Sequence, residues 1–407
     1  MDISCFNCNT ITSQEVCFEP TEFVCPSCQA RYKSGKGGLK YTGKFKCDYN
    51  VTLKVGQKGM FKGTEYTVSG ILIKKAFGYY RWAEYILHDA SENFIYLSEA
   101  SGHWILLEEV AFEKKVGNHP VTVEYEQYNL DLYEYYYADV VGAKGFFDYN
   151  IDQNTELVEY ILPPYILSVE RTNEGQVAFW GKHISKREVK KAFGISDLPY
   201  RSGVGLVQPF PFDVTNTLIT FCAFAIIMVF TNWFLNKDRV QIDVLDVAVP
   251  YGLVDNKDYT TPSFELKGSA APMTIKASSE VDNSWANIEV ALVNEKTNEE
   301  VYANKDIEYY HGYTDGENWT EGSTSEDFNI CGVHEGKYHL VLTPSKAPED
   351  VKNNYIRVQA SWNEPTTHNL FMTYLFMGIF VLIIYLIKKY FEKQRWQDSS
   401  YSPYNQD

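Results

Sequence analysis

Two stretches without a charged residue, Val214–Asn236 and residues 369–387, constrain this chain more than any other feature. Each is at least 19 residues long, enough at ~1.5 Å per residue to cross a ~30 Å hydrocarbon core. Two such runs are unusual as buried helices of a soluble core, so they read as transmembrane helices. A two-span chain has both ends on one side, which groups residues 1–213 with the tail from Lys388 and puts residues 237–368 across the membrane. Orientation follows from the basic residues beside the spans. Lys388, Lys389, Lys393 and Arg395 follow the second span, and Lys182, Lys186, Arg187, Lys190, Lys191 and Arg201 precede the first. On the other side Lys237 and Arg239 are offset by Asp238 and Asp243. Both termini are therefore expected in the cytoplasm. Residues 1–11 are polar and carry cysteine, so no cleaved signal is expected and the first span would direct insertion.

The formal net charge of −16 is unevenly shared: −12 falls on residues 237–368, −5 on residues 1–213 and +1 on the tail. An exported domain this acidic is not expected to bind nucleic acid or an anionic surface. Solubility accounts for its charge.

Cys5-Phe6-Asn7-Cys8 and Cys25-Pro26-Ser27-Cys28 are two Cys-x-x-Cys turns 16 residues apart. Zinc takes four thiolates in a tetrahedron, so Cys5, Cys8, Cys25 and Cys28 are the expected ligands of a small ribbon. Fewer than fifty residues bury little apolar core, and the metal would supply the folding energy. With four protein ligands the zinc is structural, since catalysis needs an open position. Asn9 and Gln29 stand where glycine often follows the second cysteine, and Gln tolerates a left-handed backbone less well than Asn. Residues 31–46 mix six Lys and Arg residues with Tyr32, Tyr41 and Phe45. A solvated linker around Ser34-Gly35-Lys36-Gly37-Gly38 explains them better than a nucleic-acid contact.

From residue 51 to 194 short alternating runs broken by Gly, Asn and Asp predict a β-rich domain. One helix is marked by Ser185 as N-cap, Glu188 as its capping-box partner and Gly194 as its stop. Here the chain resembles a family. Val55-Gly56-Gln57-Lys58-Gly59, Gly63-Thr64-Glu65-Tyr66-Thr67-Val68-Ser69-Gly70, Trp82-Ala83-Glu84-Tyr85 and Gly102-His103-Trp104 look like the bacterial family called domain of unknown function 4178. Pro163-Pro164-Tyr165-Ile166-Leu167-Ser168-Val169-Glu170 and Lys190-Lys191-Ala192-Phe193-Gly194 are similar to its closing half. A zinc knuckle ahead of the domain and paired spans behind it recur among such proteins. Phe391-Glu392-Lys393-Gln394-Arg395-Trp396 looks like their juxtamembrane ending. The resemblance implies a bacterial envelope setting and no particular reaction.

Glu84, Glu99, His103 and Glu170 are the candidates for acid–base work, with Glu84 and His103 as the pair to test. No Gly-rich phosphate loop, His-Glu-x-x-His or Gly-x-Ser-x-Gly occurs. Trp82-Ala83-Glu84-Tyr85 reads as a hairpin closure and the tyrosines from Tyr125 to Tyr137 as strand packing.

Between the spans, alternating runs such as Ile288-Glu289-Val290-Ala291-Leu292 predict an antiparallel β-sandwich. Its most distinctive segment, residues 309–322, is expected to be a long loop. Tyr310, Tyr313, Asp315, Trp319 and Glu321 within it are candidates to hold a sugar by stacking and hydroxyl acceptance.

The expected fold is mainly β. A zinc ribbon (1–50) and a β-rich domain with one C-terminal helix (51–195) lead through a linker (196–213), read as a free tether, to a transmembrane helix (214–236). An exported sandwich (237–367), a second transmembrane helix (368–388) and a cytoplasmic tail (389–407) follow. The expected function is a non-enzymatic envelope scaffold or sensor of the bacterial inner membrane. It would bind a protein partner inside and a protein or glycan outside, with residues 237–367 periplasmic or extracellular.

Overall fold

The computed structural model describes residues 2–404 apart from 14–15, 37, 152–153, 173–174, 238, 253–257 and 366. It divides into two compact units, residues 1–214 with 381–407, and residues 215–380.

In the first unit the strands are β1 (Asp2–Ser4), β2 (Ile11–Ser13), β3 (Glu22–Val24), β4 (Ala30–Gly35), β5 (Gly38–Lys44), β6 (Lys58–Phe61), β7 (Thr64–Ala76) and β8 (Tyr80–His88). They continue as β9 (Phe94–Ala100), β10 (His103–Val110), β11 (Thr122–Tyr125), β12 (Tyr128–Phe147), β13 (Thr155–Leu162), β14 (Tyr165–Arg171) and β15 (Gln176–Ile184), ahead of helix α1 (Lys186–Phe193). Eight of them close a barrel in the order β12-β13-β14-β15-β10-β9-β8-β7, because β7 pairs back onto β12. Closure leaves no free edge among the eight. All of these pairings are antiparallel.

The barrel strands bury apolar side chains on both faces. Val68, Ile71, Tyr85, Leu87, Leu97 and Trp104 form an outer core with Val189 and Phe193 of α1. That helix has the predicted ends: Ser185 accepts from the Glu188 amide, Glu188 closes the capping box, and Gly194 is left-handed. Strand β12 is 20 residues long and pairs along its length with β11, β13, β7 and β3. Its bulge between Val140 and Gly142 bends it along β7, and Gly145 then pairs with both Gly70 and Val24. Gly145 has φ +100°, and a Cβ there would lie 2.2 Å from the Ser69 carbonyl oxygen, so only glycine fits.

Through that crossing β3, β4 and β5 join the barrel sheet. The cysteine-bearing segment is therefore continuous with the barrel rather than a separate bead. This basic stretch is not a solvated linker: β4 and β5 pair as a β-hairpin, Tyr32 is buried, and Arg31 makes a two-pronged contact with buried Glu22. Gly37 lies outside the described residues. Trp82-Ala83-Glu84-Tyr85 is mid-strand in β8, and the β7–β8 turn comes earlier, at Phe77-Gly78-Tyr79. The strand reading of the tyrosines holds, since Tyr133, Tyr135, Tyr136 and Tyr137 lie on β12.

The segment after α1 is also not a free tether. Leu198 and Val207 are buried, and Ser202 pairs with Ser101. Val207 packs with Ile161, Ile166 and Trp396, so the tail and the linker share one apolar cluster on the barrel. Arg395 is 2 % exposed and donates to the carbonyls of Gly205, Leu206 and Gln208 while pairing with Glu392. Ser399 and Ser400 bond Tyr133 and Glu134 of β12.

The second unit holds helix α2 (Val214–Asn236) and the first half of α3 (His368–Arg395), both long and apolar enough to cross a membrane. α3 continues one to two turns past the predicted end at residue 388, where Lys388, Lys389, Glu392, Lys393 and Gln394 are good helix formers that tolerate water. Between the helices lie two antiparallel sheets. One comprises β16 (Ile242–Pro250), β25 (Tyr355–Trp362), β19 (Ala271–Ser279) and β23 (Ser325–Val333). The other comprises β17 (Tyr259–Thr260), β18 (Phe264–Leu266), β24 (Gly336–Lys346), β20 (Ser284–Asn294), β21 (Glu300–Thr314) and β22 (Glu317–Gly322). Both contribute to one apolar core, for example Ile275 and Val358 from the first with Ile288 and Leu340 from the second.

Candidate metal centre and charged barrel interior

The four predicted cysteines come together. Their Sγ atoms all lie within 4.8 Å of one another, with Cys5–Cys28 at 3.6 Å and Cys8–Cys25 at 3.7 Å. Each Cys-x-x-Cys turn is closed by a backbone bond, Asn9 N–H to Cys5 O and Gln29 N–H to Cys25 O. Asn9 and Gln29 adopt φ of 58° and 60°. The Gln29 carboxamide donates to the Cys47 carbonyl, a contact that helps hold the strained turn. Tyr32 Oη lies 3.3 Å from Cys5 Sγ, and Asn7 Nδ2 donates to Cys28 Sγ. Donors aimed at thiolates stabilise their charge and orient them, as groups around a metal centre do. Cys5 and Cys25 are fully buried in a small core with Phe23, Tyr32 and Phe146 of β12. The four cysteines could hold one metal ion, bound directly against the barrel.

The barrel interior carries charge at its middle. Lys74 of β7 is buried and sits 2.9 Å from Glu84 of β8 and 2.7 Å from Glu170 of β14. Trp82 Nε1 donates to Glu84 at 2.7 Å. Burial opposes the Lys74 charge, but Glu170 and Glu84 more than offset it and raise the ammonium pKa. Burial raises Glu170, with Lys74 opposing. Glu159 of β13 lines the same chamber, a cavity of about 60 Å³ shared with Tyr96, Ser98 and Ser168. Burial pushes Glu159 up to about 7, although a bond from Tyr136 favours its charge.

A carboxyl raised from 4.5 to about 7 keeps its proton longer in the folded state than in the unfolded one. Its contribution is then fully present below about pH 4.5 and is lost as pH rises to about 7. Glu159→Gln is expected to remove that loss. Urea unfolding near pH 5 and near pH 8 should show the variant declining less than the wild type, by on the order of 2 kcal/mol. Equal slopes in the two proteins would rule out a buried, proton-holding Glu159.

Of the acid–base candidates, Glu84 and Glu170 meet on Lys74, but His103 and Glu99 do not join them. His103 Nε2 lies 3.1 Å from the Ser202 carbonyl oxygen, and Glu99 accepts from the Gly102 amide. Neither lines the chamber. The proposed Glu84–His103 pair is therefore not assembled. Sequence reasoning passed over Lys74 and Glu159. The alternation Leu157, Glu159, Ile161 carried a signal, a charged residue at an inward position, but only closure of the barrel turns that position into an interior.

The segment predicted as a loop at residues 309–322 is a β-hairpin, turning at Asp315-Gly316. Tyr310 pairs with Glu321 and Gly312 with Trp319. Successive side chains alternate faces, so Tyr310, Trp319 and Glu321 share one face and Tyr313 points from the other. Asp315 sits at the tip with φ 53°. Trp319 lies over Gly312 and donates to Thr314. The five sugar candidates do not form one platform.

The fold and centre define an antiparallel barrel carrying a cluster of four cysteines. The family model described as domain of unknown function (DUF4178) matches residues 54–186, which run from just before β6 to the first residue of α1. The barrel is thus the part of the chain similar to that family, while the ribbon, the apolar helices and the second unit lie outside the match. A search of the curated proteins gave no match. Among solved structures, that of the infectious bursal disease virus Gt strain is 10% identical, with a TM-score of 0.19, covering 84% of this chain and 68% of that one. The VP2 subviral particle of infectious bursal disease virus is 9% identical, with a TM-score of 0.20, covering 84% and 67%. Scores this low carry no structural argument.

Proposed function

We propose that this chain is a membrane-anchored scaffold or sensor of a bacterial envelope, without catalytic activity. α2 and α3 are its two spans of the inner membrane. The ribbon and barrel form a cytoplasmic module that binds a protein partner. The two sheets between the spans form an exported sandwich that binds a protein or a glycan. The ion of the ribbon is zinc: a Zn–S bond of ~2.3 Å in a tetrahedron sets sulfur atoms ~3.8 Å apart, close to the observed pairs.

The observation that best supports this reading is the shared seat of the two juxtamembrane segments. Arg395, just beyond the second apolar run, holds the linker that leads into the first. Segments packed together in this way belong on one side of a membrane, as a two-span hairpin requires. Lys388, Lys389 and Lys393 beside the second span support the cytoplasm as that side.

The test has two readouts. In inside-out membrane vesicles, protease should digest residues 1–213 and leave 237–367 intact; the reverse pattern would overturn the topology. The detergent-purified full chain should then carry a partner identifiable by mass spectrometry, and a version lacking residues 239–365 shows which side recognises it. No partner with either version would end the scaffold reading.

A further inference from the structure

We propose that α1 is a headgroup anchor, its cationic face resting on anionic phospholipid headgroups of the membrane that the spans cross. This rests on the membrane reading above and adds a lipid-binding surface to it. At 100° per residue, Lys186, Arg187, Lys190 and Lys191 fall within about 140° of the helix circumference. Val189 and Phe193 lie outside that arc, on the adjoining buried side next to Lys186. Arg187, Lys190 and Lys191 are exposed, as are Lys182 before the helix and Arg201 after it. Among the described ion pairs none of these takes a carboxylate. A one-sided cluster of unpaired cations on a chain of net charge −16 needs more than solubility to explain it.

Its position supplies the partner. Lys186 bonds the Pro199 carbonyl and stands 5.6 Å from the ring centre of Tyr200, which is 94% exposed. From there the chain runs through Ser202, whose carbonyl takes His103, to the Gly205, Leu206 and Gln208 carbonyls gripped by Arg395. Arg395 lies eight residues beyond Ile387 in one continuous helix, about 12 Å along its axis. That height is a few ångströms outside the headgroup layer, still within about a Debye length of an anionic leaflet and so within reach of its field. An exposed tyrosine beside lysines suits a headgroup surface, where its ring packs among headgroups and its hydroxyl reaches water. A zwitterionic surface offers these cations no comparable attraction.

The full chain, reconstituted in nanodiscs of phosphatidylcholine alone or with about 30% phosphatidylglycerol, tests this by amide hydrogen exchange. Peptides covering residues 186–202 should exchange roughly threefold or more slowly in the anionic discs. About 0.5 M salt should abolish the difference. Arg187→Gln/Lys190→Gln/Lys191→Gln, which leaves Lys186 and the buried face intact, should exchange alike in both lipids. If the wild type enters both disc types and exchanges at one rate, the lipid contact is wrong and the membrane reading stands. A chain that enters neither disc overturns both.

Discussion

Stripping the ribbon of its metal with a strong chelator is expected to unfold residues 1–47 and to lower the melting temperature of the barrel by more than about 10 °C. Structural zinc contributes on the order of 10 kcal/mol to the folding of small modules, and about 1 kcal/mol moves the melting point of a domain this size by ~2–4 °C. The loss should not stay local. Cys5 and Cys25 share their core with Phe146 of β12, and β3 pairs with that strand. When the ribbon opens, Phe23, Tyr32 and the Glu22–Arg31 pair lose their cover. Elemental analysis should find one ion per wild-type chain and none in Cys25→Ser, whose melting curve should match the chelated protein. A metal-free chain that melts like the untreated protein would show that the four cysteines are only neighbours.

Lys74→Met is expected to cost the barrel about 3–5 kcal/mol, the usual result of leaving a buried charge without its partner. Glu84 and Glu170 both rely on Lys74, and Glu159 already lines the same small chamber. With the ammonium gone, the carboxyls can remain inside only as neutral acids, so the loss should grow as pH rises above about 5. Adding Glu170→Gln should recover part of the stability, which makes the pair measurable by a double-mutant cycle. If Lys74→Met unfolds at the wild-type urea concentration at pH 8, the triad is not a buried ionic unit.

Much of this architecture was legible locally. The apolar helices are runs of hydrophobic residues with no charge, a property that needs no partner to be recognised. α1 announced itself through Ser185, Glu188 and Gly194, because capping is satisfied within four residues. The cysteine cluster was legible because metal-binding turns have fixed spacing, and the left-handed Asn9 and Gln29 followed from it. The hairpin at residues 309–322 was misread as a loop because its aromatics and carboxylates mask the alternation. Its Asp315-Gly316 turn was the available signal.

By itself the sequence determined the mainly β character, the two long apolar helices, the four-cysteine group and the capped helix, since each depends on residues near in the chain or on composition alone. Tertiary structure decided the rest. Only the return of β12 onto β7 closes the barrel and turns Lys74, Glu84, Glu159 and Glu170 into one interior. Only the fold brings Arg395 to a linker some 190 residues earlier, turning an expected tether into a packed seat. Such contacts arise from strand pairing and burial between distant segments, and no local pattern of side chains encodes which distant segment will be the partner.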